Sequence, residues 1–371
     1  MTTLNGFAYA ELSFGADGST TDPAQSTSAP ALALGADVTD LLVLAHGWNN
    51  DPPAARNLYD GLTAAMARCG GAPAGLAVLG VLWPAKQYDA APAVAANIAA
   101  DPSGQAAEAF VQGVRAQVGA DLVAAPAAPS WADPGDQQEM FFGLDPGALL
   151  ERFGPVEDGV SSVLNLATYY TMKARSAAVG RGLARVLSAA RAARPDLRLH
   201  LAGHSFGARV MASAVATADP LPVASATLIQ GALSHYGFAR RWDGVHDGMF
   251  RPALVGGRVR GPVVVTYSRH DEVLGIAYAL ASRLADQADS ALGPIGGKHD
   301  KFGALGANGA LSTPEAVWMG MMGQGGGRYA FAGGSVTNLE ASAFIPSHSV
   351  IGCTEVGMAV VGAILGGGGG G

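Results

Sequence analysis

Apolar runs of four to eight residues recur along the chain, and helical patterns separate several of them. Leu41-Leu42-Val43-Leu44-Ala45 is apolar throughout, the pattern of a parallel strand buried on both faces. Leu76 to Trp83 repeats it and closes at Pro84. Leu197 to Leu201 alternates apolar and polar positions, and Val223 to Ile229 and Pro262 to Tyr267 read as further strands. Ser335 to Phe344 can form a last one. Phe7 to Phe14 and Ala31 to Leu34 read as early edge strands, separated by a Ser/Thr/Asp/Gly/Pro-rich loop from Gly15 to Pro30.

Helical patterns fill the intervals. Pro52 and Pro53 suit a first helical turn, and the helix they open runs to about Arg68. Val179, Leu183, Val186, Leu187 and Ala190 mark one helical face, with Arg175, Arg181, Arg185 and Arg191 largely opposite. Ala208 to Ala218 lacks Gly and Pro and reads as a helix. Val273, Ile276, Leu280 and Leu284 define another, and an apolar helix starts near Val350. Strands alternating with helices predict an α/β protein, a mostly parallel sheet covered on both faces. Residues 1–365 are expected to form one domain. Residues 85–160 break the pattern and are expected to form a lid-like insertion, Gly293 to Gly334 reads as irregular, and 366–371 as a disordered glycine tail.

Composition narrows the function classes. Charged residues make up 14%, the formal net charge is −7 and the 23 basic residues are scattered, which argues against a nucleic-acid partner. No apolar run reaches the roughly 18 residues that span a bilayer, and Met1 to Phe14 lacks the pattern of a signal peptide. A soluble cytoplasmic protein is expected, of open oligomeric state. Cys69 and Cys353 make no metal or disulfide framework and are expected to be buried thiols.

The chemistry centres on Gly203-His204-Ser205-Phe206-Gly207, a G-x-S-x-G between a strand and a helix. In 371 residues with 52 glycines the motif alone is weak; its flanks give it the strand–turn–helix context of a nucleophile elbow. A serine hydroxyl needs a base and a group to orient that base. Asp271 follows the Val263 to Tyr267 strand and is the expected acid, although an aspartate there also suits a helix N-cap. Of eight histidines, His348 alone follows the final strand and precedes the final helix, which makes it the expected base. His270 adjoins the acid and points elsewhere. Backbone amides of Trp48, after Gly47, and of Phe206 are the expected oxyanion donors. Phe141 and Phe142 in the insertion, and His204 in the elbow, are the expected substrate contacts, with Phe110 and Trp131 as further lid residues. No metal-ligand spacing occurs, and no metal or cofactor is expected.

His46-Gly47-Trp48-Asn49-Asn50, the strand ending Trp83-Pro84, the elbow and Ser347-His348-Ser349 together resemble the α/β-hydrolase superfamily, most nearly its bacterial esterase/lipase-like branch with an H-G-[WY]-N loop. The resemblance covers roughly residues 40–85 and 165–360. It implies cofactor-independent serine hydrolysis of a small-molecule or lipid-like carboxylic ester. A peptidase or amidase on the same residues is the nearest rival, and a catalytically silent binding protein on this fold is the alternative from another class.

Overall fold

The computed structural model describes residues 2–85, 156–217, 221–271, 273–274, 298–299 and 302–368, with 156–170 as helical backbone alone and Gln105 and Ala109 as isolated positions. In chain order the elements are β1 (Thr2–Leu4), β2 (Phe7–Ser13), α1 (Pro23–Ala33), β3 (Asp40–Ala45), α2 (Pro52–Cys69), β4 (Leu76–Leu82) and α3 (Val156–Ala193). They continue with β5 (Arg198–His204), α4 (Phe206–Val215), β6 (Ser225–Ile229), β7 (Val263–Tyr267), α5 (Leu305–Asn308), β8 (Ala316–Gly320), β9 (Val336–Glu340) and α6 (Thr354–Gly367). The expected lid residues Phe110, Trp131, Phe141 and Phe142 lie outside the described residues, as does the helix expected after Leu274.

Among the described residues the sheet has nine strands in the order β1-β2-β4-β3-β5-β6-β7-β9-β8. Only β1 is antiparallel to its neighbour. The strand period of two divides the core between the faces. On β3, Leu41 and Val43 face a layer containing Val179, Leu183, Val210 and Met211 of α3 and α4. Leu42 and Leu44 face Tyr59 and Leu62 of α2 and Val356 and Val360 of α6. Both faces of β3 are therefore dry, and each such buried aliphatic side chain contributes about 1.5–3 kcal/mol. After β3 the chain moves one way to β4, then crosses to β5 on the other side of β3. Open α/β sheets hold ligands at such a reversal, beyond the carboxyl ends of the strands.

Four sequence expectations change. Pro23–Ala33 is a helix, where a loop and the Ala31 to Leu34 strand were expected. Asp22 caps it, Oδ1 accepting the amides of Ala24 at 2.9 Å and Gln25 at 3.3 Å, and proline follows at the first helical position. The Gly293 to Gly334 stretch contains α5 and the edge strand β8, whose Val317, Trp318 and Met319 are exposed. The glycine run starts inside α6: a Cβ on Gly367 would come within 2.6 Å of the Ala224 carbonyl, so close packing uses glycine there. The two cysteines are half-buried free thiols.

At the amino ends of the strands, a buried polar network joins β3, β5 and β6. His200 Nε2 meets Asp40 Oδ1 at 2.9 Å, and His200 Nδ1 meets Ser225 Oγ at 2.8 Å. Arg198 bonds both Asp40 oxygens, at 2.7 and 2.6 Å. Burial alone would raise the Asp40 carboxyl, but hydrogen bonds from His200, Arg198 and Thr39 outweigh it and hold the group well below the usual carboxylate range. Asp40→Asn keeps the shape and removes the charge. We expect it to lower stability by about 2 kcal/mol in urea unfolding at neutral pH, the scale of hydrogen bonds to a charged group; a variant as stable as wild type would contradict this account.

Candidate active site

Strands β3 and β5 end in register, Ala45 beside Gly203, so the loops that leave them run side by side. Ser205 follows β5 with φ 57° and ψ −122°, a backbone conformation that costs about 1–3 kcal/mol. Its neighbours hold it there. The Ser205 amide donates to the Ile229 carbonyl at 3.0 Å, and its carbonyl accepts the amides of Ala208 and Ala232, each at 3.0 Å. The flanking glycines are steric necessities. A Cβ on Gly203 would stand 2.2 Å from the Gly207 carbonyl oxygen, and one on Gly207 would stand 2.2 Å from that of Ala45. Strand, elbow and α4 pack so closely that no side chain fits between them.

The three residues that the sequence singled out for nucleophile, base and acid come together. His348 Nε2 lies 2.9 Å from Ser205 Oγ, and His348 Nδ1 lies 2.7 Å from Asp271 Oδ2. With Nδ1–H donated to the carboxylate, Nε2 carries the lone pair that accepts the serine proton. Asp271 and His348 reach the site from β7 and β9, which pair directly. Ser268 ties the two loops, its hydroxyl donating to the Ile345 carbonyl at 2.8 Å. Asp271 also serves as a cap: Oδ1 accepts the Leu274 amide at 3.0 Å while Oδ2 faces His348. His270 is exposed, and its amide donates to Ser268 Oγ.

The loop after β3 supplies the other wall. A Cβ on Gly47 would lie 2.7 Å from Ser205 Cβ, which explains glycine there. Asn50 Nδ2 donates to the carbonyls of Gly47 at 3.1 Å and Trp48 at 3.2 Å and holds the turn. The Trp48 amide has no hydrogen-bond partner among the described residues. Phe206 opens α4, so its amide stands at the positive end of that helix. The two rings meet edge to face, centroids 6.3 Å apart. His46 braces the turn from below. It accepts the Trp83 amide on Nε2 at 3.3 Å and donates Nδ1–H to the Gly47 carbonyl at 3.0 Å. Burial lowers its pKa to about 4, so it stays neutral.

His204 differs from its expected part as a substrate contact. It is buried, its Nε2 donates to the His348 carbonyl at 2.8 Å, and the two rings lie 4.9 Å apart. Packed against the His348 ring, it holds the His348 loop against the elbow. Burial, then repulsion from His348, lowers its pKa to about 3.

Gln230 went unnoticed in the sequence. It is fully buried at φ 45°, one step beyond β6. Its Nε2 donates to Asp271 Oδ2 at 3.0 Å, while its Oε1 accepts the Thr266 hydroxyl at 3.1 Å. Thr266 thereby fixes the amide's orientation, and Asp271 Oδ2 faces two donors. The available signal was a polar residue at or just past the carboxyl end of each of two neighbouring buried strands.

The arrangement can transfer a proton from Ser205 to His348, hold the resulting imidazolium against Asp271, and present backbone amides to a developing oxyanion. Among the described residues, no three His, Cys, Asp or Glu side chains group to hold a metal ion. Nor is any helix there long and apolar enough to cross a membrane. The chain matches no family model, no curated protein and no solved structure.

Buried neutral histidines make stability fall on acidification. Below about pH 6.5 the unfolded chain takes up protons that His204 and His46 refuse until about 3 and about 4 in the folded state. Each contributes a loss of about 1.4 kcal/mol per pH unit in that window. His204→Gln can still donate to the His348 carbonyl but cannot titrate. Urea unfolding between pH 6.5 and 5 should show a shallower slope for this variant by about one such contribution; an unchanged slope would remove His204 from the account.

Proposed function

We propose that the protein is a serine hydrolase of the α/β-hydrolase kind that cleaves carboxylic esters through an acyl-enzyme on Ser205. The observation that carries this reading is the Ser205–His348–Asp271 relay, at 2.9 and 2.7 Å, built on a strained backbone turn at the sheet's reversal point. Strain of that kind persists only where the surroundings over-determine it, and it clusters at reactive sites. The glycine-bounded elbow, the resemblance of the His46 to Asn50 loop and the unpartnered Trp48 amide support the same reading.

In this mechanism Ser205 Oγ attacks the ester carbonyl as its proton passes to His348 Nε2. Asp271, held by Gln230 and the Leu274 amide, keeps His348 Nδ1–H oriented and balances the imidazolium. The Trp48 and Phe206 amides hold the tetrahedral oxyanion. His348 then gives its proton to the departing alkoxide. A water molecule, deprotonated by the same nitrogen, releases the acid and restores Ser205. An ester suits this site better than an amide, because an alkoxide leaves with less assistance than an amine. The substrate in this reading is a small or lipid-like ester, and the chemistry needs no cofactor.

Ser205→Ala should remain folded and lose p-nitrophenyl butyrate hydrolysis by at least about a thousandfold, together with all labelling by a fluorophosphonate probe. His348→Ala should lose most labelling, whereas His270→Ala should keep it. Labelling that survives in Ser205→Ala would overturn the assignment, and faster turnover of peptide anilides than of any ester would replace the esterase by an amidase.

A further inference from the structure

A second cleft lies at the far end of α4 from Ser205. It occupies about 660 Å³ between α3, the end of α4 and the segment Asp247–Arg258, a volume within the roughly 300–1,000 Å³ range of small-molecule sites. Its wall is largely apolar, with Met249, Phe250 and Pro252 inside and Val255 at the mouth, 52% exposed.

Three arginines line it, and two are committed elsewhere. Arg251 forms a two-pronged pair with Glu315 at 2.6 and 2.7 Å. Arg258 donates to the carbonyls of Val215 and Thr217 at the end of α4. Arg181, on α3, is half-buried and has no hydrogen-bond or ion-pair partner among the described residues. Burial, then the like charge of Arg185, lowers its pKa. The site thus holds a partly desolvated cation beside another cation, an unfavourable arrangement until an anion arrives. Asp247 also lines the cleft, which disfavours a doubly charged head group.

We propose that this cleft binds an amphiphilic monocarboxylate, its head on the Arg181 guanidinium and its hydrocarbon tail along Met249, Phe250 and Val255. The planar fork of an arginine fits a carboxylate with two parallel hydrogen bonds, and one free guanidinium balances one negative charge. The tail replaces water against an apolar wall. Head and tail are both required: acetate lacks the second and decanol lacks the first. This binding is separate from any chemistry at Ser205.

Titration calorimetry of the full chain at pH 8 tests it, with decanoate as the probe. Decanoate should bind with one site dependent on Arg181, and decanol and acetate should bind at least tenfold more weakly. Arg181→Met keeps the apolar stem and should weaken decanoate at least tenfold. Val255→Glu, at an exposed position that leaves the core intact, sets a carboxylate at the mouth and should weaken it comparably. No binding to the wild type, wild-type affinity in either variant, or decanol binding as tightly as decanoate would each overturn the proposal.

Discussion

The backbone at Ser205 is the constraint on which the site depends. A positive φ at a serine is unfavourable, and here it persists because the chain on either side has no room to relax. Gly203 and Gly207 let β5, the β3 loop and α4 approach to distances at which a single methyl group would overlap a carbonyl oxygen. Hydrogen bonds to Ile229, Ala208 and Ala232 then hold the turn from three directions. Main-chain packing thus sets the direction of the Ser205 Cα–Cβ bond, and the contact with His348 Nε2 at 2.9 Å selects the position of the hydroxyl.

Around that fixed point the polar groups form two shells with different tasks. His348 faces the serine, and Asp271 faces His348. Behind them, Gln230, Ser268 and His204 attach the Asp271 and His348 loops to the sheet and to each other. His46, Asn50 and Tyr59 do the same for the turn after β3: the His46 amide donates to the Tyr59 hydroxyl at 3.0 Å, and that hydroxyl donates to the Val81 carbonyl. Buried histidines suit such work when they remain neutral, because each then offers one donor and one acceptor in a known order. His46 and His204 are both held in that form by burial.

Much of this was legible in the sequence where local chemistry and global packing agree. Fully apolar runs such as Leu41 to Ala45 have no stable place except between two layers, so β3, β4 and β7 could be read directly. The elbow was legible because sterics require glycine at both flanks. His348 was reached by its place after the last strand of the chain. The failures have physical causes too. In Pro23–Ala33, the Asp22 cap and the following proline decide for a helix although the segment holds a Ser-Thr-Ser run and an internal proline. In β8, exposed Val317, Trp318 and Met319 gave no alternation, since an edge strand shields neither face fully. Gln230 was invisible because its role arises from β6 and β7 lying side by side, a relation between positions 36 residues apart from Thr266. The buried Asp40–His200–Ser225 network makes the complementary point. It joins the same three residue types in the same hydrogen-bonded order at the opposite end of the strands, sealed from solvent. Residue identity does not distinguish the two; position relative to the strand ends does.

The relay joins residues 143 and 77 positions apart, and both long links meet at His348, which follows β9. The contacts that hold the elbow come from β3, β5, α4, β6 and the turn after β6, whereas the imidazole that meets its hydroxyl comes from beyond β9. His348 and Asp271 reach the site only when β7 and β9 are paired into the sheet, and contacts so far apart in sequence carry a large loop-closure cost. Release of the β7–β9 side of the sheet would therefore separate His348 from Ser205 while the elbow's own contacts stayed in place.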